Sequence, residues 1–89
     1  MYQDRETTEN ELRELLSDVL GIAQARTQEF DNSTELFGAL PELDSMAVAN
    51  LLTELEDRME ISIDPDEVDG DMLGTFGGLV DFVSAKLAR

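Results

Sequence analysis

Apolar side chains recur at helical spacing in three stretches of the chain, and each stretch predicts a helix with one buried face. The first helix is predicted over residues 8–25, where Thr8 and Glu11 form a capping-box pattern at its start. Residues 1–7 are polar, and we expect them to form a frayed tail. The buried face of this helix consists of Leu12, Leu15, Leu16, Val19 and Ile22.

The second stretch predicts a helix from Asp44 or Ser45 to about Met59, and the last predicts a helix that begins near Thr75. A shorter helix is predicted between them over residues 65–71, because aspartate, proline and glycine stand where a short helix would start and stop. The two long helices bury the faces formed by Val48, Leu52, Leu55 and Met59, and by Phe76, Leu79, Val80, Val83 and Leu87.

Residues 26–44 have no sustained period and are rich in turn formers, so they predict a long first loop. Apolar residues within the loop indicate that it is pinned onto the core rather than free. The largest core fillers are predicted to be Phe30, Phe37, Phe76 and Phe82. The predicted fold class is all-α: one domain over residues 1–89, built as a small four-helix bundle of three main helices and one short helix.

The chain contains neither cysteine nor histidine. Disulfides, thiolate metal sites and a protein thiol nucleophile are therefore excluded, and the commonest general base and metal ligand are missing. These absences argue against an enzyme. A hydrolase that uses Ser45 is a remote alternative, because no base lies near that serine in the sequence.

Acidic residues dominate the chain, with twenty-one against six basic ones and a formal net charge of −15. Between Glu42 and Asp71 there are eleven acidic residues and a single basic one, Arg58. Such a surface disfavours nucleic acid and anionic membranes, attracts basic protein surfaces and favours a monomer. An ordinary solvated surface is the alternative interpretation.

No metal site is predicted. Counted from Asp64, the fifth, sixth and twelfth positions of an EF-hand loop would be Val68, Asp69 and Thr75, which do not fit the calcium pattern. Only weak, nonspecific binding of divalent cations to the acidic cluster is expected. The chain also lacks a membrane-spanning apolar run and a signal-peptide pattern at its start, so a cytoplasmic location is expected.

The candidate chemistry lies in the segment Leu43-Asp44-Ser45-Met46, at the predicted start of the second main helix. Taken alone, this segment favours a simple helix cap formed by Asp44 or Ser45. Within the whole helix pattern it resembles the attachment site of acyl carrier proteins, whose signature is Asp-Ser-Leu at the head of the second helix. The residues that follow, SMAVANLLTELEDRMEISIDPDEVDGDM, give the family's order of helix, Ile-containing turn and acidic third helix, and the resemblance covers about residues 8–87.

The resemblance implies that Ser45 carries 4′-phosphopantetheine, which a phosphopantetheinyl transferase takes from coenzyme A, with Asp44 and Met46 as the flanking residues of the site. Asp44 would help to present the serine to that magnesium-dependent transferase. A helix start favours the phosphate, and the arm ends in the thiol that the cysteine-free chain lacks. The arm would hold an acyl group as a thioester for enzymes of fatty-acid, polyketide or related lipid biosynthesis.

The resemblance also implies that the second main helix docks onto basic patches of client enzymes, among them acyl ligases, transferases and synthases. By position, the docking residues would be Met46, Ala47, Ala49, Asn50, Thr53, Glu56 and Asp57. For any single aliphatic residue a plain core position is the favoured interpretation, but a set of them could line an interior that shelters the acyl chain: Leu52, Leu55, Ile61, Ile63, Met72, Phe76, Val80 and Val83.

Three positions depart from the carriers of fatty-acid synthesis. Those carriers usually have acidic residues where this chain has Ala47 and Asn50, and valine where it has Ala49. We therefore hypothesise a specialised carrier with its own ligase or synthase. A peptidyl or aminoacyl carrier is the alternative within the fold, although its usual glycine-rich approach to the serine is replaced here by Pro41-Glu42-Leu43. An acidic helical interaction module without a prosthetic group is the alternative from another class.

Overall fold

The computed structural model describes residues 4–88, which form five α-helices. The long helices α1, α3 and α5 confirm the predicted all-α fold with three main helices. The bounds are α1 Arg5–Leu20, α2 Gln24–Thr27, α3 Ser45–Met59, α4 Gly70–Gly74 and α5 Phe76–Leu87, with a 3₁₀ turn at Pro65–Glu67.

The start of α1 differs from the prediction, because Asp4 and not Thr8 is its N-cap. The Asp4 carboxylate accepts a hydrogen bond from the Thr7 N–H at 2.8 Å. Thr8 is buried one turn into the helix, where its hydroxyl donates to the Asp4 carbonyl oxygen. Residues 5–7 are therefore helical rather than frayed, and the rest of the predicted tail, residues 1–3, lies outside the described residues.

The first helix also ends earlier than the predicted residue 25. Gly21 adopts a left-handed φ of 69°, which terminates α1 at Leu20. The short helix α2 then occupies the junction between the predicted helix and the predicted loop.

The predicted short helix over residues 65–71 is in fact two elements. The 3₁₀ turn Pro65–Glu67 comes first, and α4 begins at the glycine that was expected to end the helix. Asp69 makes this second start possible, because its carboxylate accepts a hydrogen bond from the Met72 N–H at 2.9 Å.

The long loop after α2 is pinned to the core as predicted. Phe30, Leu36 and Leu43 are buried, and the Phe30 ring meets the buried Phe76 ring edge-on at a centroid distance of 5.9 Å. Phe37 was wrongly predicted to fill the core, since its side chain is 51% exposed. Phe82 is only partly buried.

Backbone hydrogen bonds join this loop to the junction of α4 and α5. The N–H groups of Leu36 and Phe37 donate to the carbonyls of Gly74 and Leu73, both at 2.9 Å. In the opposite direction, the Phe76 N–H donates to the carbonyl of Thr34 at 2.8 Å. The loop therefore has a fixed position against the start of α5.

The described residues contain no helix that is both long enough and apolar enough to cross a membrane.

Candidate functional site

Ser45 is the first residue of α3, and its side chain is exposed. Asp44 provides the cap: its carboxylate accepts a hydrogen bond from the Ala47 N–H at 2.9 Å, and its carbonyl accepts one from Val48 at 2.9 Å. The sequence left open which of the two residues caps the helix. Because Asp44 fills this role, the Ser45 hydroxyl is left at the surface for other chemistry.

The N-terminus of α3 is electrostatically suited to a phosphate on Ser45. The first N–H groups of a helix have no intrahelical acceptor, and the helix dipole places partial positive charge there. The Ala47 N–H already donates to the Asp44 carboxylate. The N–H groups of Ser45 and Met46 lie in the same first turn of α3 as the Ser45 hydroxyl. A phosphodiester on Ser45 would therefore form beside donors in an otherwise acidic region.

The chain that leads into Ser45 is held in place from two sides. Leu43 is buried in the core. One residue earlier, Glu42 forms an ion pair with Arg26 of α2, with 2.8 Å between Oε2 and Nη1. The hydrogen bond from Arg26 lowers the pKa of Glu42 below its ordinary value, which favours the ionised carboxylate in this pair.

A mainly apolar cavity of about 290 Å³ opens beside Ser45. It lies between the start of α3, the long loop and the segment around α4. The lining residues are Phe37, Ser45, Val48, Val68, Asp69, Gly70 and Leu73.

The aliphatic residues that were considered for the lining of a chamber do not line this cavity, and the favoured interpretation of a plain core describes them better. Leu55, Met72, Phe76, Val80 and Val83 are buried in the general core, while Leu52, Ile61 and Ile63 pack against it at its edge. Val48 could have been found from the sequence, because it follows Ser45 by three residues on the same helix face. Phe37, Val68 and Leu73 reach the cavity only through the folding of the loops, which the helical periodicity does not describe.

Two large apolar side chains of the described residues are exposed, and both lie near Ser45. Met46 is 81% exposed and follows Ser45 directly in the chain. Phe37 is 51% exposed and lines the same cavity as Ser45. Exposed apolar groups beside a site are typical of surfaces that contact a partner.

The predicted docking residues do not all have the same environment. Ala49, Asn50, Thr53 and Asp57 are exposed along α3. Ala47 is partly buried against the core. The half-buried Glu56 uses its Oε2 atom to accept a hydrogen bond from the Ile63 N–H at 2.8 Å, so it is more than a surface charge.

The acidic side chains near the site do not form a metal centre. Within residues 4–88, no three aspartate or glutamate side chains converge as the ligands of a cation would.

Comparison with known proteins agrees with this geometry. Residues 10–83 match the family model described as "Phosphopantetheine attachment site". The chain is 40% identical to a holo acyl carrier protein from Nitrosomonas europaea, whose structure was determined in solution by NMR. That alignment covers 92% of this chain and 96% of the other, with a TM-score of 0.82. No curated protein gives a significant sequence match.

The chain therefore belongs to the phosphopantetheine attachment family, as a carrier of the acyl carrier protein type. Such carriers are not enzymes: they bear a 4′-phosphopantetheine prosthetic group and are served by phosphopantetheinyl transferases and biosynthetic enzymes. An exposed serine hydroxyl, a helix N-terminus and an adjoining apolar cavity are features of this structure that fit the group.

Proposed function

We propose that this protein carries an acyl group as a thioester on a 4′-phosphopantetheine arm attached to Ser45. The observation that carries the proposal is the exposed Ser45 hydroxyl at the start of α3, where Asp44 already caps the helix. When bound, the prosthetic group supplies a terminal thiol, which this cysteine-free chain lacks. The residues of the chain position the attachment point and favour the phosphate.

An acyl cargo is supported by the apolar lining of the cavity beside Ser45. An apolar cavity of about 150 Å³ accommodates benzene, so a cavity of about 290 Å³ has room for a chain of roughly ten carbons. An aminoacyl ammonium would meet one carboxylate in the lining, Asp69, but Val48, Val68 and Leu73 make most of the wall apolar, which suits an alkyl chain better. The cavity therefore favours an acyl group over the aminoacyl alternative.

We also propose that the clients are biosynthetic enzymes with basic surfaces that receive α3. Ala49, Asn50, Thr53 and Asp57 are exposed and available, with Met46 at the serine end of the same helix. Charge attraction would steer these encounters and weaken with added salt. A monomer in the cytoplasm remains the prediction for the free protein.

A specialised pathway is favoured over housekeeping fatty-acid synthesis. Ala49 and Asn50 are exposed on α3 where the housekeeping carriers usually have valine and an acidic residue. Ala47 supports this less strongly, because it is partly buried. In reconstituted fatty-acid elongation, this protein should replace the housekeeping carrier poorly, and elongation at a comparable rate would contradict the specialised role.

The attachment is tested by incubating the purified chain with coenzyme A, magnesium and a broad-specificity phosphopantetheinyl transferase. Intact-mass measurement should show the gain of one phosphopantetheine. Ser45→Ala should gain none. Ser62→Ala is the matched control, because Ser62 is also exposed in a loop, and it should be modified like the natural chain. A natural chain that gains no mass would overturn the proposal.

A further inference from the structure

Two walls of the cavity beside Ser45 are held by regular backbone hydrogen bonds. Val48 belongs to α3. Phe37 and Leu73 belong to two different segments, but the Phe37 N–H donates to the Leu73 carbonyl at 2.9 Å and joins them. These walls can move only if hydrogen bonds within α3, or between the long loop and α4, are broken.

The third wall consists of Val68 and Asp69, and of these two only Asp69 is tied to a helix, as the N-cap of α4. This wall belongs to residues 61–69, which connect α3 to α4. In the described chain, the backbone hydrogen bonds seen within this connection are local, from Glu67 to Asp64 and from Val68 to Pro65. At its ends the connection is tied to the helices, because the Ile61 N–H donates to the Glu56 carbonyl at 3.3 Å and Asp69 accepts from the Met72 and Leu73 N–H groups of α4. Between these ends it depends on apolar packing and on side chains of the neighbouring helices.

Two side chains provide these ties. On one side, Glu56 of α3 accepts the Ile63 N–H at 2.8 Å. On the other side, Lys86 of α5 forms an ion pair with Glu67 at 2.7 Å. The Glu56 tie is the more informative, because Glu56 lies on the helix that we propose as the docking surface.

We propose that Glu56 is a positioning residue, whose carboxylate holds residues 61–69 in place and thereby keeps the Val68 wall of the cavity beside Ser45 in position against the acyl chain. The inference rests on the proposed function, since the cavity shelters an acyl chain only if the arm is attached at Ser45. It assigns to Glu56 a structural link between the α3 surface and the cavity wall. A contact that draws the carboxylate away from Ile63 would loosen that wall.

The first test uses the unmodified protein and does not depend on the arm. Amide hydrogen exchange is measured for Glu56→Ala, Glu56→Gln and the matched control Asp57→Ala, which removes the same charge from an exposed neighbouring position. Glu56→Ala should accelerate exchange about tenfold in residues 61–69, because it removes a hydrogen bond to a charged acceptor. Glu56→Gln retains an acceptor oxygen and should stay close to the natural protein. Unchanged exchange in α1 and α5 shows that the variants are folded.

The second test uses the protein loaded with octanoyl-phosphopantetheine. Hydroxylamine takes the acyl group onto its nitrogen and frees the thiol of the arm, so the rate of cleavage reports access to the thioester. Glu56→Ala should be cleaved several-fold faster than Asp57→Ala, and Glu56→Gln should restore most of the protection.

The outcomes separate this inference from the proposed function. Equal exchange in residues 61–69 for Glu56→Ala and Asp57→Ala would overturn the positioning role, even if Ser45 is modified normally. Faster exchange without faster cleavage would overturn the link to the cavity. Failure to load any phosphopantetheine would contradict the proposed function, while the exchange experiment would still decide whether Glu56 holds the segment.

Discussion

Gly77 lies in the first turn of α5, where helix propensity alone would favour alanine by about 1 kcal/mol. The structure explains the glycine by close packing. A Cβ atom at residue 77 would lie 2.7 Å from the carbonyl oxygen of Asn32 in the long loop, and the Gly77 N–H donates to that same oxygen.

Gly77→Ala should therefore lower the free energy of unfolding by about 1–3 kcal/mol, because the loop backbone must move to admit the methyl group. Urea unfolding measures this change. Gly74→Ala is the matched control, since a Cβ atom there meets nothing within 4 Å and φ is not left-handed. A Gly77→Ala variant as stable as Gly74→Ala would contradict the packing explanation.

Asp31 stabilises the turn at the start of the long loop through its carboxylate. It accepts hydrogen bonds from the hydroxyl and the N–H of Ser33, both at 3.0 Å, and these lower the pKa of Asp31 below its ordinary value of 3.8. A lowered folded-state pKa adds stability at neutral pH, and this stability is lost as the pH falls below about 3.8.

The natural protein should accordingly be more stable than Asp31→Asn at neutral pH, and the difference should shrink towards zero as the pH is lowered below about 3.8. Urea unfolding of both proteins at constant ionic strength gives the comparison. A difference that is the same at pH 7 and in the acid range would show that the charge of Asp31 does not contribute.

At the scale of single residues, the sequence predicts well what depends on near neighbours. Asp44 and Ser45 could be placed at a helix start, because a cap acts on the N–H two or three residues later. The contacts of Phe37 and Glu56 could not be predicted in this way. Phe37 meets Leu73, and Glu56 meets Ile63, only after loops without periodicity have folded back.

Helix α3 is the element on which the site depends, and Asp44 has two separable roles at its start. As a cap, it stabilises the helix through Ala47. As a carboxylate beside Ser45, it is expected to assist the magnesium-dependent transferase. Asparagine caps a helix about as well as aspartate but carries no charge, so it separates the two roles.

Asp44→Ala should lower the free energy of unfolding by about 1 kcal/mol, whereas Asp44→Asn should change it by only a few tenths. Both variants should accept phosphopantetheine more slowly than the natural chain. Thermal unfolding and the time course of the mass gain are the two measurements. If Asp44→Asn is loaded at the natural rate, Asp44 acts on Ser45 only as a cap.

The bounds of the elements show the same division between local and distant effects. The limits of α3 and the start of α5 were predicted closely, because Asp44 and Thr75 are strong caps next to periodic apolar faces. The end of the first helix was predicted at residue 25, five residues too late, because Gly21 terminates the helix at Leu20. The apolar pattern continues through Ile22, which is buried although it lies outside the helix.

The charge of the whole molecule opposes its folding, because a formal net charge of −15 is confined to a small domain. Five ion pairs among the described residues involve Arg5, Arg26 or Arg58, and these contacts are partly exposed. Exposed ion pairs of this kind contribute little to the free energy of unfolding. The repulsion among the acidic side chains should therefore dominate the response of the stability to salt.

Stability should therefore rise as NaCl is increased from about 0.01 M to about 0.1 M, where the screening length falls from about 30 Å to about 10 Å. The midpoint of thermal unfolding is the measurement. MgCl₂ at matched ionic strength is the control: an equal rise indicates screening, and a larger rise indicates bound cations. A midpoint that falls with salt would contradict the dominance of repulsion.

The central claim is that Ser45 holds the arm, and mass-spectrometric localisation of the modification tests it most directly. Trypsin releases residues 27–58 as one peptide, in which the hydroxyl groups are those of Thr27, Ser33, Thr34, Ser45 and Thr53. Fragmentation of this peptide from the loaded protein should place the single phosphopantetheine on Ser45. Its location on another of these residues, or on a different peptide, would contradict the account.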